Sequence, residues 1–191
     1  MKLVLATGNA DKARELEELL GGAEVGIAPQ PFDPEETGVT LFQNAWIKAA
    51  ALRAQLEGAE LVVADDSGLE VRALDGRPGV FSSRYAGPDA TYADNYRRLL
   101  EELEGAEDRR AAFVCVLVGM APDGRLLVTS GVCPGHIAPA PRGEGGFGYD
   151  PVFVPEGDDR TMAELSPDEK AAVSHRGRAA RRLASVLGLG S

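Results

Sequence analysis

Short apolar runs and helical stripes alternate along the chain. "KLVLA", residues 2–6, is almost wholly apolar and runs up to Gly8, which predicts a buried strand. "ADKARELEELLGG" follows with Ala13, Leu16, Leu19 and Leu20 at helical spacing, and Gly21 and Gly22 stop it. Pro29, Pro31 and Pro34 mark an extended loop. "TLFQNAWIKAAALRAQLEG" predicts a second helix, closed by Gly58, with Trp46 in the core. "ELVVADDSGLEVRALDG" predicts a strand that enters an acidic turn, then a short second strand. "PGVFSSRYAGPDAT" reads as a glycine/proline loop, and "TYADNYRRLLEELEG" as a third helix with Thr91 as its N-cap.

The second half changes character. "RRAAFVCVLVGMAPDGRLLVTSGVCPGHIA" predicts two long strands joined at Pro122-Asp123-Gly124, a hairpin signal. "PRGEGGFGYDPVFVPEG" is glycine-rich and then extended, and "MAELSPDEKAAVSHRGRAARRLASVLG" holds one or two helices, with Ser174 placed to start the last. Early alternation and a later hairpin predict an α/β fold, a central mixed sheet flanked by helices. Without an internal repeat or low-complexity linker, residues 1–191 read as one domain.

Composition narrows the class. At 44% hydrophobic and 26% charged, the chain is an ordinary globular one. A net charge of −10 argues against a broad nucleic-acid or membrane surface, though it leaves room for a local anion pocket. Cys115 and Cys133 form no metal-binding pattern with the two histidines. The short apolar start is not a secretory signal and no apolar run is long enough to span a membrane, so a cytoplasmic protein is expected.

Five stretches could carry chemistry. "TGNADK", Thr7 to Lys12, puts a glycine turn between strand and helix, where backbone N–H groups and a helix N-terminus receive anions. It is not a Walker A loop, and a plain turn capped by Asn9 has the same pattern. "ADDSG" delivers Asp65 and Asp66 at the end of a buried run. Neighbouring side chains on a strand point to opposite faces, so one faces a site and the other braces the structure. Such oxygens suit Mg²⁺, which binds through one or two carboxylates plus substrate phosphates; an exposed Asp-Ser-Gly turn is the alternative. "PEETG" supplies Glu36 as a second metal carboxylate if it comes near Asp66, and is otherwise a surface loop. "GGFGYDP" sets Phe147, Tyr149 and Asp150 among glycines, either aromatic faces for a base or a bulge with core aromatics. Lys170, His175 and Arg176 add hydrogen-bond donors. Together these are what a Mg²⁺-dependent nucleotide hydrolase needs.

In order, "TGNADK", "EETG…FQNAWIKA", "ADDSGLEV", "PG…SSRYAG", "GGFGYDPVF" and "EKAAVSHRG" resemble the inosine/xanthosine triphosphate pyrophosphatase family over almost the whole chain. The resemblance implies hydrolysis of ITP, dITP and XTP to the monophosphate plus pyrophosphate. It also implies Mg²⁺ dependence, an elongated fold with a substrate cleft between two lobes, and a homodimer. By position it assigns the triphosphate to Thr7, Gly8, Asn9, Ala10, Asp11 and Lys12, with Lys48 as a further phosphate contact. It assigns the metal to Glu36 and Asp66 with Asp65 beside them, and makes Asp66 the proton acceptor for the attacking water. Ser67, Phe147, Gly148, Tyr149, Asp150, Lys170, His175 and Arg176 are assigned to the nucleotide. The chain departs from the family at Gln43-Asn44, where glutamate-asparagine is usual, and at Leu41, where phenylalanine is usual. An amide at 43 can be neither a charged metal ligand nor a base. The rival readings are a pyrimidine triphosphate pyrophosphatase, which lacks the paired "FGYDP" and "SHR", and a non-catalytic nucleotide-binding module, which needs no clustered carboxylates.

Overall fold

A computed structural model describes residues 1–21, 23–58 and 60–189; the predicted helix stop at Gly22 lies outside them. In chain order the elements are β1 (Lys2–Leu5), α1 (Ala10–Leu19), β2 (Glu24–Ile27), α2 (Leu41–Arg53), β3 (Leu61–Val71), β4 (Pro78–Gly79), α3 (Tyr92–Glu102), β5 (Arg110–Met120), β6 (Leu126–Ile137), β7 (Phe153–Pro155), α4 (Pro167–Val173) and α5 (His175–Leu187). The strands form a mixed sheet in the order β2-β1-β3-β5-β6-β7, with β4 paired to β3. β1 runs parallel to β2 and to β3, and β7 antiparallel to β6. No helix among the described residues is long and apolar enough to cross a membrane.

The chain divides into two compact units. The first takes Met1–Asp66, Cys115–Gly131 and the chain from Arg176 onward; the second takes Ser67–Val114 and Val132–His175. In the first unit the sheet is covered on both faces, which is why β1 is apolar without alternation. Leu3 and Leu5 of β1 pack with Leu61 and Val63 of β3, Ala13 and Leu16 of α1, and Ala179, Ala180 and Leu183 of α5. Val4, on the other face, packs with Val62 and Ala64 of β3 and with Ala45, Ala49 and Leu52 of α2. The second unit has its own core, in which Leu69 and Val71 of β3 meet Leu99 of α3, Phe113 of β5, Ile137 of β6 and Phe153 of β7.

Four readings of the pattern change. The acidic stretch is no turn: β3 continues unbroken from Leu61 to Val71 through Asp65-Asp66-Ser67-Gly68, because Lys12 and Arg176 pair with Asp65 and Lys48 pairs with Asp66. α2 stops at Arg53 instead of running to Gly58, and the Arg53 guanidinium holds the carbonyls of Leu56, Gly58 and Glu60 beyond it. Trp46 lies on the outer side of α2 and is 44% exposed, since Ala45, Ala49 and Leu52 fill the inner stripe. β2 has no hydrophobic signal of its own; Gly26 interrupts it and tertiary pairing with β1 makes it a strand. Thr91 caps α3 as expected, and β5 and β6 are the two long strands around Pro122-Asp123-Gly124.

Candidate active site

The first unit gathers most of the candidate residues. The turn after β1 is tightly built. Thr7 Oγ1 accepts from the Asn9 N–H at 3.0 Å, and Asn9 Oδ1 accepts from the N–H groups of Asp11 and Lys12 at 3.0 and 3.1 Å. The Asn9 side chain is therefore the N-cap of α1, and it directs the first turn toward the loop. Gly8 is required here, because a Cβ would lie 2.7 Å from the Phe32 carbonyl oxygen. Gln30, which carried no sequence signal, closes the turn from the side by donating to the Thr7 carbonyl at 3.3 Å.

Asp65 and Asp66 are 2% and 6% exposed and face opposite ways, as adjacent strand residues must. Asp65 points to the α1 and α5 side, where Lys12 Nζ lies 3.2 Å and Arg176 Nη2 3.4 Å from its Oδ2. Arg176, itself 2% exposed, also pairs with Glu15 of α1. Asp66 points to the α2 side. Its Oδ1 lies 3.1 Å from Lys48 Nζ, which lies 2.8 Å from Glu36 Oε1. The loop carboxylate and the strand carboxylate thus converge on one cation.

Electrostatics separates the two aspartates. Burial would lift the Asp65 carboxyl, but Lys12, Arg176 and Lys48 outweigh it and hold it well below the carboxylate range. At Asp66 burial prevails and lifts the pKa; Lys48 and Lys12 oppose it, and Glu36 and Asp65 add to it. Burial would lower Lys48, yet Asp66, Asp65 and Glu36 together raise it, so it is the charged ammonium that sits between the carboxylates. Asp65 is an anion fixed between cations, and Asp66 is the more basic of the pair.

α2 supplies a residue that the sequence reading passed over. Leu41, Asn44, Ala45, Lys48, Ala49 and Leu52 form its buried stripe. Two polar side chains one turn apart in an apolar stripe are the signal that could have found the site. Asn44 is fully buried; its Nδ2 donates to Asp66 Oδ2 at 3.3 Å, and its Oδ1 accepts from the Gly38 N–H at 2.8 Å. Gln43 faces away. Its Oε1 accepts from the N–H groups of Val39 and Thr40, completing a capping box with Thr40. Glutamine and glutamate both serve at that helix position, so the departure at 43 falls on a cap.

The second unit holds the aromatic glycine loop. Asp150 Oδ2 accepts from the Phe147 N–H and from Lys170 Nζ, both at 2.8 Å, and a Cβ on Gly146 would strike that same oxygen at 2.1 Å. Lys170 Nζ lies 4.7 Å from the centre of the Phe147 ring, and the Tyr92 ring lies 6.0 Å from it. Tyr149 turns inward and donates to the Ser82 carbonyl at 2.9 Å. His175 stacks on Phe113, with centroids 4.7 Å apart. Ser174 stands between α4 and α5 in an extended conformation. Ser67 and Gly148 are half-buried. The structure thus groups Thr7 to Lys12, Glu36, Lys48, Asp65, Asp66 and Arg176 in the first unit, and Ser67, Phe147 to Asp150, Lys170 and His175 in the second.

The donor chemistry at Glu36 and Asp66 fits a small hard cation. Two carboxylates already meet at one positive group, and Mg²⁺ characteristically takes one or two carboxylates and leaves its other positions to water and phosphate. Among the described residues no larger cluster of His, Cys, Asp and Glu competes for that role.

Known proteins resemble this chain over almost its whole length. A dITP/XTP pyrophosphatase of Exiguobacterium sp. is 49% identical over 192 residues, covering 98% of this chain and 97% of that protein. The dITP/XTP pyrophosphatase of Coxiella burnetii is 47% identical, covering 98% and 96%. Among solved structures, the Ham1 protein of Staphylococcus aureus superposes with a TM-score of 0.88 at 40% identity, covering 98% of each chain. A HAM1 protein from Coxiella burnetii gives 0.87 at 46% identity, again with 98% of each. With the Ham1 family model matching residues 3–186 as well, the chain belongs to the Ham1 family.

Proposed function

We propose that this protein hydrolyses noncanonical purine nucleoside triphosphates, dITP, ITP and XTP, to the nucleoside monophosphate and pyrophosphate, in a Mg²⁺-dependent reaction. The observation that carries the reading is the convergence of Glu36 and Asp66 on one cation, in the same compact unit as the capped turn Thr7–Lys12. Four carboxylates (Glu15, Glu36, Asp65, Asp66) meet three cations (Lys12, Lys48, Arg176) there, so a bound triphosphate needs added positive charge. Glu36 and Asp66 would hold Mg²⁺, which neutralises developing charge on the phosphate oxygens when bound.

The chain's own residues do the rest. The α1 N-terminus with Lys12, and Lys48 of α2, receive phosphate oxygens. Asp65 holds Lys12 in place. Asp66 takes the proton of the attacking water as the water adds across the bond between the α- and β-phosphates; the products are the monophosphate and pyrophosphate. The raised basicity of Asp66 suits it to that transfer. The Phe147 ring, with the Lys170 ammonium against it, offers a face on which a base can stack. The six-carbonyl of hypoxanthine and xanthine accepts from donors such as Lys170 and His175, whereas adenine presents a donor of its own. The same reading places the protein in the cytoplasm with the nucleotide pool, as a homodimer whose exposed Val39, Phe42 and Trp46 are candidate interface residues.

Pyrophosphate release from dITP and XTP, with Mg²⁺ and then with EDTA, tests the reading; dTTP, UTP and ATP serve as controls. Release from dITP and XTP only with Mg²⁺ is expected. Preference for dTTP or UTP would make it a pyrimidine enzyme, and nucleotide binding without release a binding module. Asp66→Asn should lower turnover by roughly 10²–10⁴-fold while the protein stays folded by circular dichroism. Undiminished turnover would remove Asp66 from the chemistry.

A further inference from the structure

We propose that Asn44 is a positioning residue for the hydrolysis, setting the angle at which the two converging carboxylates meet. The Asn44 amide has a distinct partner at each end. Nδ2 donates to Asp66 Oδ2 at 3.3 Å; Oδ1 accepts from the N–H of Gly38, two residues beyond Glu36, at 2.8 Å. The N–H of Gly38 can only donate, so it determines which end of the amide faces the loop and turns the NH₂ toward Asp66. Asp66 is thereby held by one oxygen, and its other oxygen lies with Lys48 and, through it, Glu36. Gly38 is packed against the same amide: a Cβ there would fall 2.5 Å from Asn44 Oδ1. One fully buried side chain on α2 therefore ties the strand that carries Asp66 to the loop that carries Glu36.

An amide is needed because it offers a donor and an acceptor without charge. Aspartate at 44 keeps an acceptor for the Gly38 N–H, loses the donor toward Asp66 and adds a like charge beside it. Leucine keeps the branched shape and neither bond. The two substitutions therefore separate loop anchoring from carboxylate orientation.

The inference rests on Asp66 as the working carboxylate, so Asp66→Asn is measured alongside Asn44→Asp and Asn44→Leu. Both Asn44 variants should lose about 10- to 100-fold in kcat for dITP, the scale of a hydrogen bond to a charged group. KM, and the calorimetric Kd of a non-hydrolysable imido analogue of dITP, should stay within about threefold. If Asn44→Asp keeps wild-type kcat, anchoring the loop suffices and the proposal is overturned. It is overturned equally if analogue binding weakens by the factor that kcat loses. If Asp66→Asn keeps turnover, the functional reading fails instead, and Asn44 is judged by denaturant unfolding. There the proposal requires Asn44→Asp to destabilise less in the Asp66→Asn background than alone, and additive effects overturn it. Should Asn44→Asp not fold, Asp66→Asn in the same chain should restore folding by removing the facing charge; a double variant that stays unfolded overturns the proposal.

Discussion

At Asp65 and Asp66, adjacent residues of one strand acquire opposite acid–base character because alternation sends them to opposite faces of the sheet. Asp65 meets Lys12 and Arg176, while Asp66 meets Lys48 and the neutral amide of Asn44. The folded pKa of Asp65 lies below its ordinary 3.8. Its stabilising contribution is therefore complete above that value and is lost as pH falls toward the lower folded pKa. Asp65→Asn should destabilise the protein by about 3–5 kcal/mol at neutral pH, because it strands the buried Arg176 together with Lys12. It should also flatten the loss of stability on acidification below about pH 4. Urea unfolding of both proteins across that range tests this, and equal acid slopes would show that Asp65 is not the titrating group. The same geometry shows why Arg176 could not be placed from its own sequence context. Its partners Asp65 and Glu15 lie 111 and 161 residues away, and only the fold brings them together.

At the level of elements, α2 does two jobs with two faces. Its buried stripe carries Asn44 and Lys48 to Asp66, and its first turn is closed by Thr40 and Gln43. The carboxamide of Gln43 accepts the two N–H groups that a carboxylate would accept in its place. Gln43→Glu should leave kcat/KM for dITP within about threefold of wild type. A gain of tenfold or more would mean that a charge at this position takes part in the reaction. Thr40→Ala, which removes the other half of the box, should lower stability by about 1 kcal/mol, read as a shift in the urea midpoint without a change in slope. β3 shows the converse dependence: its "ADDSG" segment has the composition of a turn and is a strand because its carboxylates accept from Lys12, Arg176 and Lys48.

For the whole molecule, a net charge of −10 coexists with a site that must take a polyanion. The two are compatible because Lys48 and Arg176 are buried beside the carboxylates, with the partly buried Lys12, where their interactions are screened less than at the surface. Each compact unit is assembled from separate stretches of chain, and the boundaries fall at Asp66/Ser67, Val114/Cys115, Gly131/Val132 and His175/Arg176. Sedimentation at micromolar concentration should give about twice the 20.1 kDa of one chain, in keeping with the homodimer proposed above. Trp46→Ala should weaken that association by about 2 kcal/mol or more if Trp46 is an interface anchor. A 20.1 kDa species in the wild type would remove the dimer.

By itself the sequence determined the features that depend on neighbours within a few residues. These are the apolar run of β1, the stripe and cap of α1, the Thr91 cap of α3 and the turn between β5 and β6. It also carried the motifs that name the family, because residue types at short spacing are local information. Tertiary structure alone decided which acid meets which base. It made β2 a strand through pairing with β1, turned Trp46 outward, kept β3 extended through two aspartates and set Asn44 against Asp66. Each of these is settled by a partner distant in the chain, and hydrophobic period and propensity do not encode such partners. Burial then acts on what the fold has brought together. At Asp65 the surrounding cations outweigh it and hold the carboxyl in its charged form, whereas at Asp66, on the same strand, burial prevails and lifts the pKa.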